Sequence, residues 1–307
     1  MTEQLRFFND TISLGWESEW INMPDFHIPT RDTAKRNLVD VSDIKGFAAK
    51  ETTLFPKYPI YIVSKGRWKN PMTANALSKM GIDYKIVVEP CELSDYQSCV
   101  PEDKILVLPF ENLGQGSIPA RNWIMEHSIK SGNKKHWILD DNINGFGIQK
   151  SGRRINAICG DMFRICEDFT DRYTNIAIAG IRYRFHHNYV KSPYYLNTRI
   201  YSCILIDNSI SHRWRGKYNE DTDLSLRVLK DGLCTMLFTW CYCNKASTMT
   251  MKGGNTDNVY NETDNRREFA ESLKDQHPDV VKVTQKYNRW HHLVDYSKLR
   301  GNKLIRI

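Results

Sequence analysis

The sequence predicts an α/β fold in which helices flank a mostly parallel, mixed sheet within one domain. Short apolar runs of strand length alternate with segments whose apolar residues recur at helical spacing, a pattern typical of βαβ units. Polar and acidic residues directly follow several of the apolar runs, as expected at the carboxyl edge of such a sheet. No internal repeat or low-complexity linker interrupts residues 56–307. We therefore predict one compact domain over this range.

Each element follows from a local pattern. Asn70–Pro71 predicts a helix start and Gly81 its end, while acidic residues after Asn219 and a glycine at Gly232 bound a later helix. We predict strands at 59–63, 82–90, 104–110, 136–142, 175–180, 201–207 and 234–243. We predict helices at 71–81, from Ser117 onwards, at 156–172 and at 219–232. Residues 1–55 are expected to form an N-terminal extension packed on this core.

Composition restricts the class of protein. The 307 residues include 43 Lys and Arg against 36 Asp and Glu, so the formal net charge is +7 and a polyanionic partner is favoured. Hydrophobic residues make up 41%, which excludes global disorder. No run approaches the roughly 18 apolar residues of a membrane span. The first residues, MTEQLRFFND, lack a basic segment followed by an apolar one, so we do not expect secretion by a signal peptide. We expect a cytoplasmic protein without a membrane partner, and eight free, largely buried cysteines rather than a zinc site at Cys241 and Cys243.

An acidic triplet follows the predicted strand at 136–142. Asp140, Asp141 and Asn142 offer three oxygen-bearing side chains at a strand end, which suits a hard cation such as Mg²⁺ or Mn²⁺. In a DxD-type arrangement the first residue, here Asp140, tends to meet the nucleotide ribose, and the last residue, here Asn142, tends to meet the metal. The alternative is an ordinary turn of Asp and Asn.

A second acidic pair opens the helix predicted at 219–232. Glu220 and Asp221 are candidate general bases, because a carboxylate can accept the proton of an attacking alcohol at neutral pH. The alternative is that these residues, with Asp223, only cap the helix and complement its dipole.

Basic and glycine-containing segments are candidates for binding a nucleotide diphosphate. Backbone N–H groups beside glycine approach phosphate closely, and arginine pairs with phosphate oxygens. The candidates are Ser64, Lys65, Gly66 and Arg67 after the first strand, Arg121 and Asn122 near a helix start, and Lys252, Gly253, Gly254 and Asn255 after the last strand. The alternatives are a solvated basic turn for the first segment and a surface arginine for the second, and the third is a weak signal when taken alone.

The C-terminal region interleaves cations and aromatic rings. Arg289, Trp290, His291 and His292 are candidate DNA or acceptor contacts, because such side chains stack on bases and bind phosphate. Structural packing is the main alternative. A metal site at the two histidines is disfavoured, because adjacent residues of a strand point to opposite faces.

Six segments occur in the order and approximate spacing of one family. They are YIVSKGRW, IPARNWIMEHS, HWILDDNINGF, NEDTDLSLRVLKDG, the KGGN loop and RWHHLVDY. Together they resemble the TET-associated glycosyltransferases over roughly residues 58–297. Those are GT-A-fold, Rossmann-type enzymes, many of them phage-encoded, that add sugars to 5-hydroxymethylated pyrimidines in DNA. Within the family the sequence is similar to T4-like phage enzymes acting on 5-hydroxymethylcytosine, arabinosyltransferases among them.

The resemblance implies the activity and the roles of several residues. It implies a UDP-sugar donor (arabinose or glucose), a Mn²⁺ or Mg²⁺ cofactor and double-stranded DNA containing 5-hydroxymethylcytosine as the acceptor. It further implies a metal–nucleotide site at Asp140 and Asn142, nucleotide-sugar contacts from Arg67 and Arg121, and Asp221 as the base, with Glu220 the less favoured choice. Asn142 departs from the usual acid of this triplet. The sequence leaves three alternatives: transfer to a glycan or small molecule, a metal-dependent nuclease, and a non-catalytic DNA-binding protein.

Overall fold

The computed structural model describes residues 55–150, 153–157, 159–184, 192–216, 218–246, 266–286 and 289–307. The predicted extension at 1–55, apart from Phe55, and the predicted phosphate-binding loop 252–255 lie outside these residues. The strands are β1 (Ile60–Val63), β2 (Lys85–Val88), β3 (Ile105–Val107), β4 (Lys135–Asp140), β5 (Ile143–Lys150), β6 (Arg153–Asn156), β7 (Ile176–Tyr183), β8 (Tyr194–Leu196), β9 (Cys203–Asp207), β10 (Cys234–Lys245), β11 (Val281–Lys286) and β12 (Arg289–Val294). The helices are α1 (Met72–Lys79), α2 (Leu93–Gln97), α3 (Ile118–Lys130), α4 (Asp161–Thr170), α5 (Glu220–Lys230) and α6 (Arg266–Gln276).

One large sheet organises the described residues. Its order is β3-β2-β1-β4-β9-β7-β10-β5-β6, with β8 paired to β10, and β11 and β12 form a separate hairpin. β1 to β4 pair in parallel, as do β7 and β10, whereas β9 runs antiparallel to both β4 and β7. β5 and β8 also run against β10, which leaves β1, β2, β3, β4, β6, β7 and β10 pointing the same way. The predicted α/β class with a mostly parallel, mixed sheet is confirmed.

Alternation along the central strands supplies an apolar layer on each face of the sheet. Trp137 and Leu139 of β4 face one layer, and Ile138 between them faces the other. β1 alternates in the same way, with Ile62 in the first layer and Tyr61 in the second. This follows from the two-residue period of strand side chains, and it explains why these strands read as continuous apolar runs.

Helices cover both layers. The first layer packs on α1 and α4, whose buried residues include Leu77, Phe163 and Phe169. The second packs on α3 and α5 through residues such as Ile124 and Val228. Because both faces are covered, polar ligands reach the sheet only at its edges, and the carboxyl edge is where the acidic strand ends lie.

The C-terminal residues are tied back to the sheet. Another side of α5 packs on Leu273 of α6 and on Leu299 in a third apolar cluster. The Asn302 amide donates to the carbonyl groups of Leu229 and Leu233, at 2.7 Å each. The side chain of Asn175 donates to the Lys303 carbonyl at 2.8 Å. The end of the chain therefore secures the start of β7 and β10.

The cysteines agree with the prediction of free thiols. All eight are free; Cys91 and Cys99 are exposed, and the other six, Cys241 and Cys243 included, are buried. In the described part of the chain no three His, Cys, Asp or Glu side chains are grouped as a metal would require. Nor is any helix among these residues long and apolar enough to cross a bilayer.

Candidate functional site

A cavity of about 320 Å³ opens at the carboxyl edge of the sheet. Residues that follow β1 to β4 line it, together with the ends of β7 and β10 and the first turns of α3 and α5. The topology therefore gathers into one cavity side chains that lie far apart in sequence. The predicted site residues that line it are Ser64, Lys65, Arg67, Arg121, Asp140, Asp141, Asn142, Glu220 and Asp221.

The turn after β1 secures the second acid of the triplet. Ser64 Oγ donates to Asp141 Oδ2 at 3.0 Å, and Arg67 Nη1 pairs with Asp141 Oδ1. The Ser64 hydroxyl also bonds the hydroxyl of Tyr96 at 2.6 Å. Burial raises the pKa of the Asp141 carboxyl, and the Arg67 charge opposes that rise. Asp141 therefore fixes the turn that carries the basic residues.

The other two residues of this turn are held by glutamates beyond β2. Gly66 has a φ of 69°, a left-handed conformation that favours glycine, and its N–H donates to Glu92 Oε1 at 2.7 Å. Lys65 Nζ lies 2.7 Å from Glu89 Oε2, and both residues line the cavity. The turn thus presents a cation to the cavity from a fixed backbone.

Asp140 lies at the centre of the site between two cationic side chains. Arg121 Nη2 donates to its Oδ1 at 3.0 Å, and Lys245 Nζ donates to its Oδ2 at 2.7 Å. Ser202 Oγ donates to the same Oδ2. Burial disfavours the charged carboxylate, yet the charges of Lys245 and Arg121 hold the pKa of Asp140 well below its usual range. Asp140 is therefore an ionised, fully paired carboxylate.

The first turn of α5 places two acids, Glu220 and Asp221, at the cavity. Asp221 Oδ1 accepts from Arg121 Nη1 and, at 3.0 Å, from Trp214 Nε1, whereas no described group donates to its Oδ2. Glu220 lines the cavity, and its Oε1 is 4.0 Å from Arg121 Nη1. Burial raises the pKa of both carboxyls: the Arg121 charge opposes the rise at Asp221, and the neighbouring Asp221 charge adds to the rise at Glu220.

Asp223 points away from the cavity and is structural. It accepts from Arg227 Nε at 2.8 Å and from His277 Nε2 at 2.8 Å, and it pairs with Arg215. Although burial opposes ionisation, these donors lower the pKa of Asp223 to about 2. Two residues along a helix turn a side chain by about 200°, which separates Asp223 from Asp221. His277 is used in this contact.

Arg121 and Asn122, adjacent in sequence, behave differently. Arg121 is buried, bridges Asp140 and Asp221, and its guanidinium lies 5.7 Å from the ring centre of Trp214. Asn122 does not line the cavity: its amide donates to the Trp214 carbonyl at 2.9 Å and its Oδ1 accepts from the Trp214 N–H at 2.8 Å. The geometry gives Asn122 an indirect role, holding the loop that positions Trp214 beside Asp221.

Several polar cavity residues were not among the predicted site residues, including Lys245, Ser202, Tyr183 and Tyr201. Lys245 ends β10, and its ammonium lies 2.8 Å from Ser202 Oγ and 5.6 Å from the ring centre of Tyr183. Tyr183 stacks on Tyr201, with ring centres 6.3 Å apart. The rule that ligands meet strand ends would have selected Lys245, but the predicted strand stops at Cys243. Ser202 and the tyrosines carry no sequence signal of this kind.

The residues predicted to bind a divalent cation do not fit one in this arrangement. Both oxygens of Asp140 already accept from cationic side chains. Asn142 is buried and lines the cavity, and its Oδ1 accepts no hydrogen bond from the part of the chain that the structure describes. One neutral oxygen beside a neutralised carboxylate is a poor ligand set for Mg²⁺ or Mn²⁺, which prefer several oxygen ligands.

The four predicted acceptor residues lie on β12 and do not line the cavity. Arg289 and His291 are exposed, whereas Trp290 and His292 are half-buried, so the two histidines face opposite sides as predicted. Arg267 lies 4.9 Å from the ring centre of Trp290. Burial and then the Arg199 charge lower the pKa of His292 to about 4. This strand therefore presents Arg289 and His291 to solvent, at a distance from the acids.

The family model of the TET-Associated Glycosyltransferase matches residues 58–254. The chain belongs to this family. The matched residues include β1 to β10 and therefore every acid and cation described above around the cavity. The protein is therefore a glycosyltransferase by family. The GT-A-like fold expected from the resemblance agrees with the observed architecture.

Curated proteins and solved structures give no further information about the family or the function. No curated protein matches the transferase. A crystal structure from Desulfovibrio desulfuricans G20, provisionally described as a nucleotide-diphospho-sugar transferase, shares 10% identity and covers 73% of this chain and 96% of its own. Its TM-score of 0.37 is too low to support a conclusion about fold or function.

Proposed function

We propose that the transferase moves a sugar from a UDP-sugar to the hydroxymethyl group of 5-hydroxymethylcytosine in phage DNA, with inversion at the sugar carbon. The observation that carries this proposal is the single cavity in which a basic turn, a paired central acid and the α5 carboxylates meet. The donor sugar is arabinose or glucose, as the resemblance implies. The enzyme would act in the cytoplasm of the infected host, where that DNA is found.

The donor is assigned to the side of the cavity formed by β1, β2 and β3. Ser64, Lys65, Gly66 and Arg67 lie there, next to apolar Leu108 and other side chains that could cover a base. Arg121, Asp140 and Asp141 complete this side, and the loop Lys252, Gly253, Gly254 and Asn255 is proposed to join it. A planar base against apolar walls with cations near its phosphates is a common form of nucleotide site.

The chemical step is a direct displacement with Asp221 as base. Asp221 accepts the acceptor's hydroxyl proton, the oxygen bonds to sugar C1, and the bond from C1 to the diphosphate oxygen breaks with its electron pair on the departing UDP. Arg121 and Trp214 hold Asp221 Oδ1, which leaves Oδ2 to take the proton. Glu220 is the alternative base. The divalent cation assigned to Asp140 and Asn142 enters no step here.

Charge supports a DNA acceptor. The net charge of +7 favours a phosphate backbone, and β12 adds the exposed Arg289 and His291, with Trp290 and His292 beside them. A hydroxymethyl group inside a duplex cannot reach acids within a cavity unless the nucleotide is flipped out of the stack. We therefore expect the acceptor base to enter the cavity while β12 contacts the backbone.

The test supplies the purified protein with a panel of UDP-sugars, Mn²⁺ or EDTA, and duplex DNA containing 5-hydroxymethylcytosine. The DNA is digested to nucleosides and analysed by mass spectrometry. A pentose or hexose mass increment on 5-hydroxymethylcytosine, absent from unmodified DNA, is the expected result. UDP release without any DNA product would instead favour a glycan or small-molecule acceptor.

The same samples separate the remaining alternatives. Strand cleavage in Mn²⁺ without sugar transfer would favour the metal-dependent nuclease. DNA binding with neither cleavage nor UDP release would favour the non-catalytic DNA-binding protein. Either result would contradict the proposed transfer.

A further inference from the structure

Two cationic side chains, Arg121 and Lys245, neutralise the acids around Asp140. Asp140 accepts from Arg121 and Lys245, and Asp221 accepts from the same guanidinium through its other terminal nitrogen. Arg121 is therefore committed to two carboxylates. Among the described residues Lys245 contacts one carboxylate, so its charge is shared with fewer acids than the charge of Arg121.

Described side chains engage two of the three donors of the Lys245 ammonium. A lysine ammonium carries three N–H groups. One meets Asp140 Oδ2 at 2.7 Å and another meets Ser202 Oγ at 2.8 Å, while the side chain lines the cavity. The ring of Tyr183, 5.6 Å away, further fixes the cation. Lys245 therefore places a fixed positive charge beside Asp140, where the sequence predicted a metal ion.

We propose that Lys245 supplies the positive charge that faces the donor's diphosphate, so that nucleotide binding and transfer need no divalent cation. This inference rests on the proposed function, since it presumes a nucleoside diphosphate in this cavity. As the bond between sugar C1 and the diphosphate oxygen breaks, negative charge grows on the departing UDP. A cation fixed beforehand in a site shielded from water stabilises that charge without having to reorganise.

The test measures binding rather than turnover, with UDP as the probe. Isothermal titration calorimetry is run on the parent protein and on Lys245→Met, each in EDTA and in Mn²⁺. We expect the parent to bind UDP equally in both buffers. Loss of one charged hydrogen-bond donor in Lys245→Met should weaken UDP binding about tenfold or more. Lys230→Met is the matched control, since Lys230 pairs with Asp279 at 2.6 Å outside the cavity.

The outcomes distinguish this inference from the proposed function. UDP binding by the parent in Mn²⁺ alone would overturn the inference and leave the transferase function standing. Equal affinities of the parent and Lys245→Met would also overturn it. Failure of UDP to bind in either buffer would overturn the UDP-sugar function itself. Should Lys245→Met unfold, Lys245→Arg keeps the charge and should bind UDP in EDTA; a need for Mn²⁺ in that variant would contradict the proposal.

Discussion

Asp221 differs from Asp140 and Asp141 in the number of its carboxylate oxygens that accept hydrogen bonds. Asp140 and Asp141 each have both carboxylate oxygens engaged by donors, so neither has a free position for a proton. At Asp221 the described residues donate to Oδ1 alone. A base needs a fixed direction and an unoccupied oxygen, and Asp221 has both.

Replacing Asp221 by Asn is expected to lower kcat by about 10²-fold or more, because a positioned general base contributes about 10²–10⁴ to a rate. The shape and the Trp214 contact are kept, so DNA affinity should stay unchanged. Initial rates of UDP release and a DNA-binding titration check this. Glu220→Gln is the companion variant: a larger rate loss there than in Asp221→Asn would move the base to Glu220.

Cavity residues could be located from sequence where a chemical type and a strand end coincide, whereas their roles stay predictions. Asp140, Asp141 and Asn142 were found because three oxygen-bearing residues follow an unmistakable apolar run. The partners of these acids were harder to find. Nothing local in the sequence couples Asp140 to Lys245, 105 residues away, because that contact depends on β10 lying across the sheet from β4.

At the scale of elements, strand existence could be predicted but strand direction could not. The apolar run of β9 looks the same whichever way the strand points, and it is antiparallel to both neighbours. β5 was missed because Asn144, Gly145 and Gly147 are poor strand formers. β5 forms in spite of this low propensity because it pairs with β10, in which Tyr242 lies opposite Gly147.

Close packing between β7 and β9 makes one glycine indispensable. A Cβ at Gly180 would lie 2.2 Å from Ile200 Cγ2 and 2.6 Å from the Cys203 carbonyl oxygen. We expect Gly180→Ala to lower the free energy of unfolding by about 1–3 kcal/mol, the usual cost of overpacking. Urea unfolding followed by circular dichroism measures it.

The matched control is Gly145→Ala in β5, where an added Cβ would meet nothing within 4 Å. Its free energy of unfolding should change by less than about 1 kcal/mol, since glycine within a strand is slightly unfavourable. Equal losses at the two glycines would show that the contact with Ile200 does not control the effect.

The whole molecule carries a pH-sensitive buried acid remote from the cavity. Glu167 of α4 is fully buried, and it accepts from Trp137 Nε1 at 2.8 Å and from the Lys57 N–H at 2.6 Å. Burial raises the pKa of Glu167 to about 7, although these donors oppose the rise. The folded state therefore holds a proton that the unfolded chain releases near pH 4.5.

Stability should fall as pH rises from about 4.5 to about 7, because in that window the folded state binds the extra proton. A shift of this size corresponds to about 3 kcal/mol in the free energy of unfolding. Urea titrations across this pH range measure it, and Glu167→Gln should flatten the slope. Glu126→Gln, at an exposed ion pair with Arg213, is the control and should keep the parent slope. A parent slope unchanged by Glu167→Gln would assign the effect to other groups.

The contacts of Asp140 join residues from distant parts of the chain: Arg121 from α3, Ser202 before β9 and Lys245 at the end of β10, with Asp221 of α5 on the far side of Arg121. No partly assembled sheet that lacks β10 can complete this cluster. Binding of a ligand in the cavity would therefore require a completely assembled sheet. If UDP binds in this cavity as proposed, we expect the number of UDP sites found by titration to equal the number of molecules that have assembled the whole sheet.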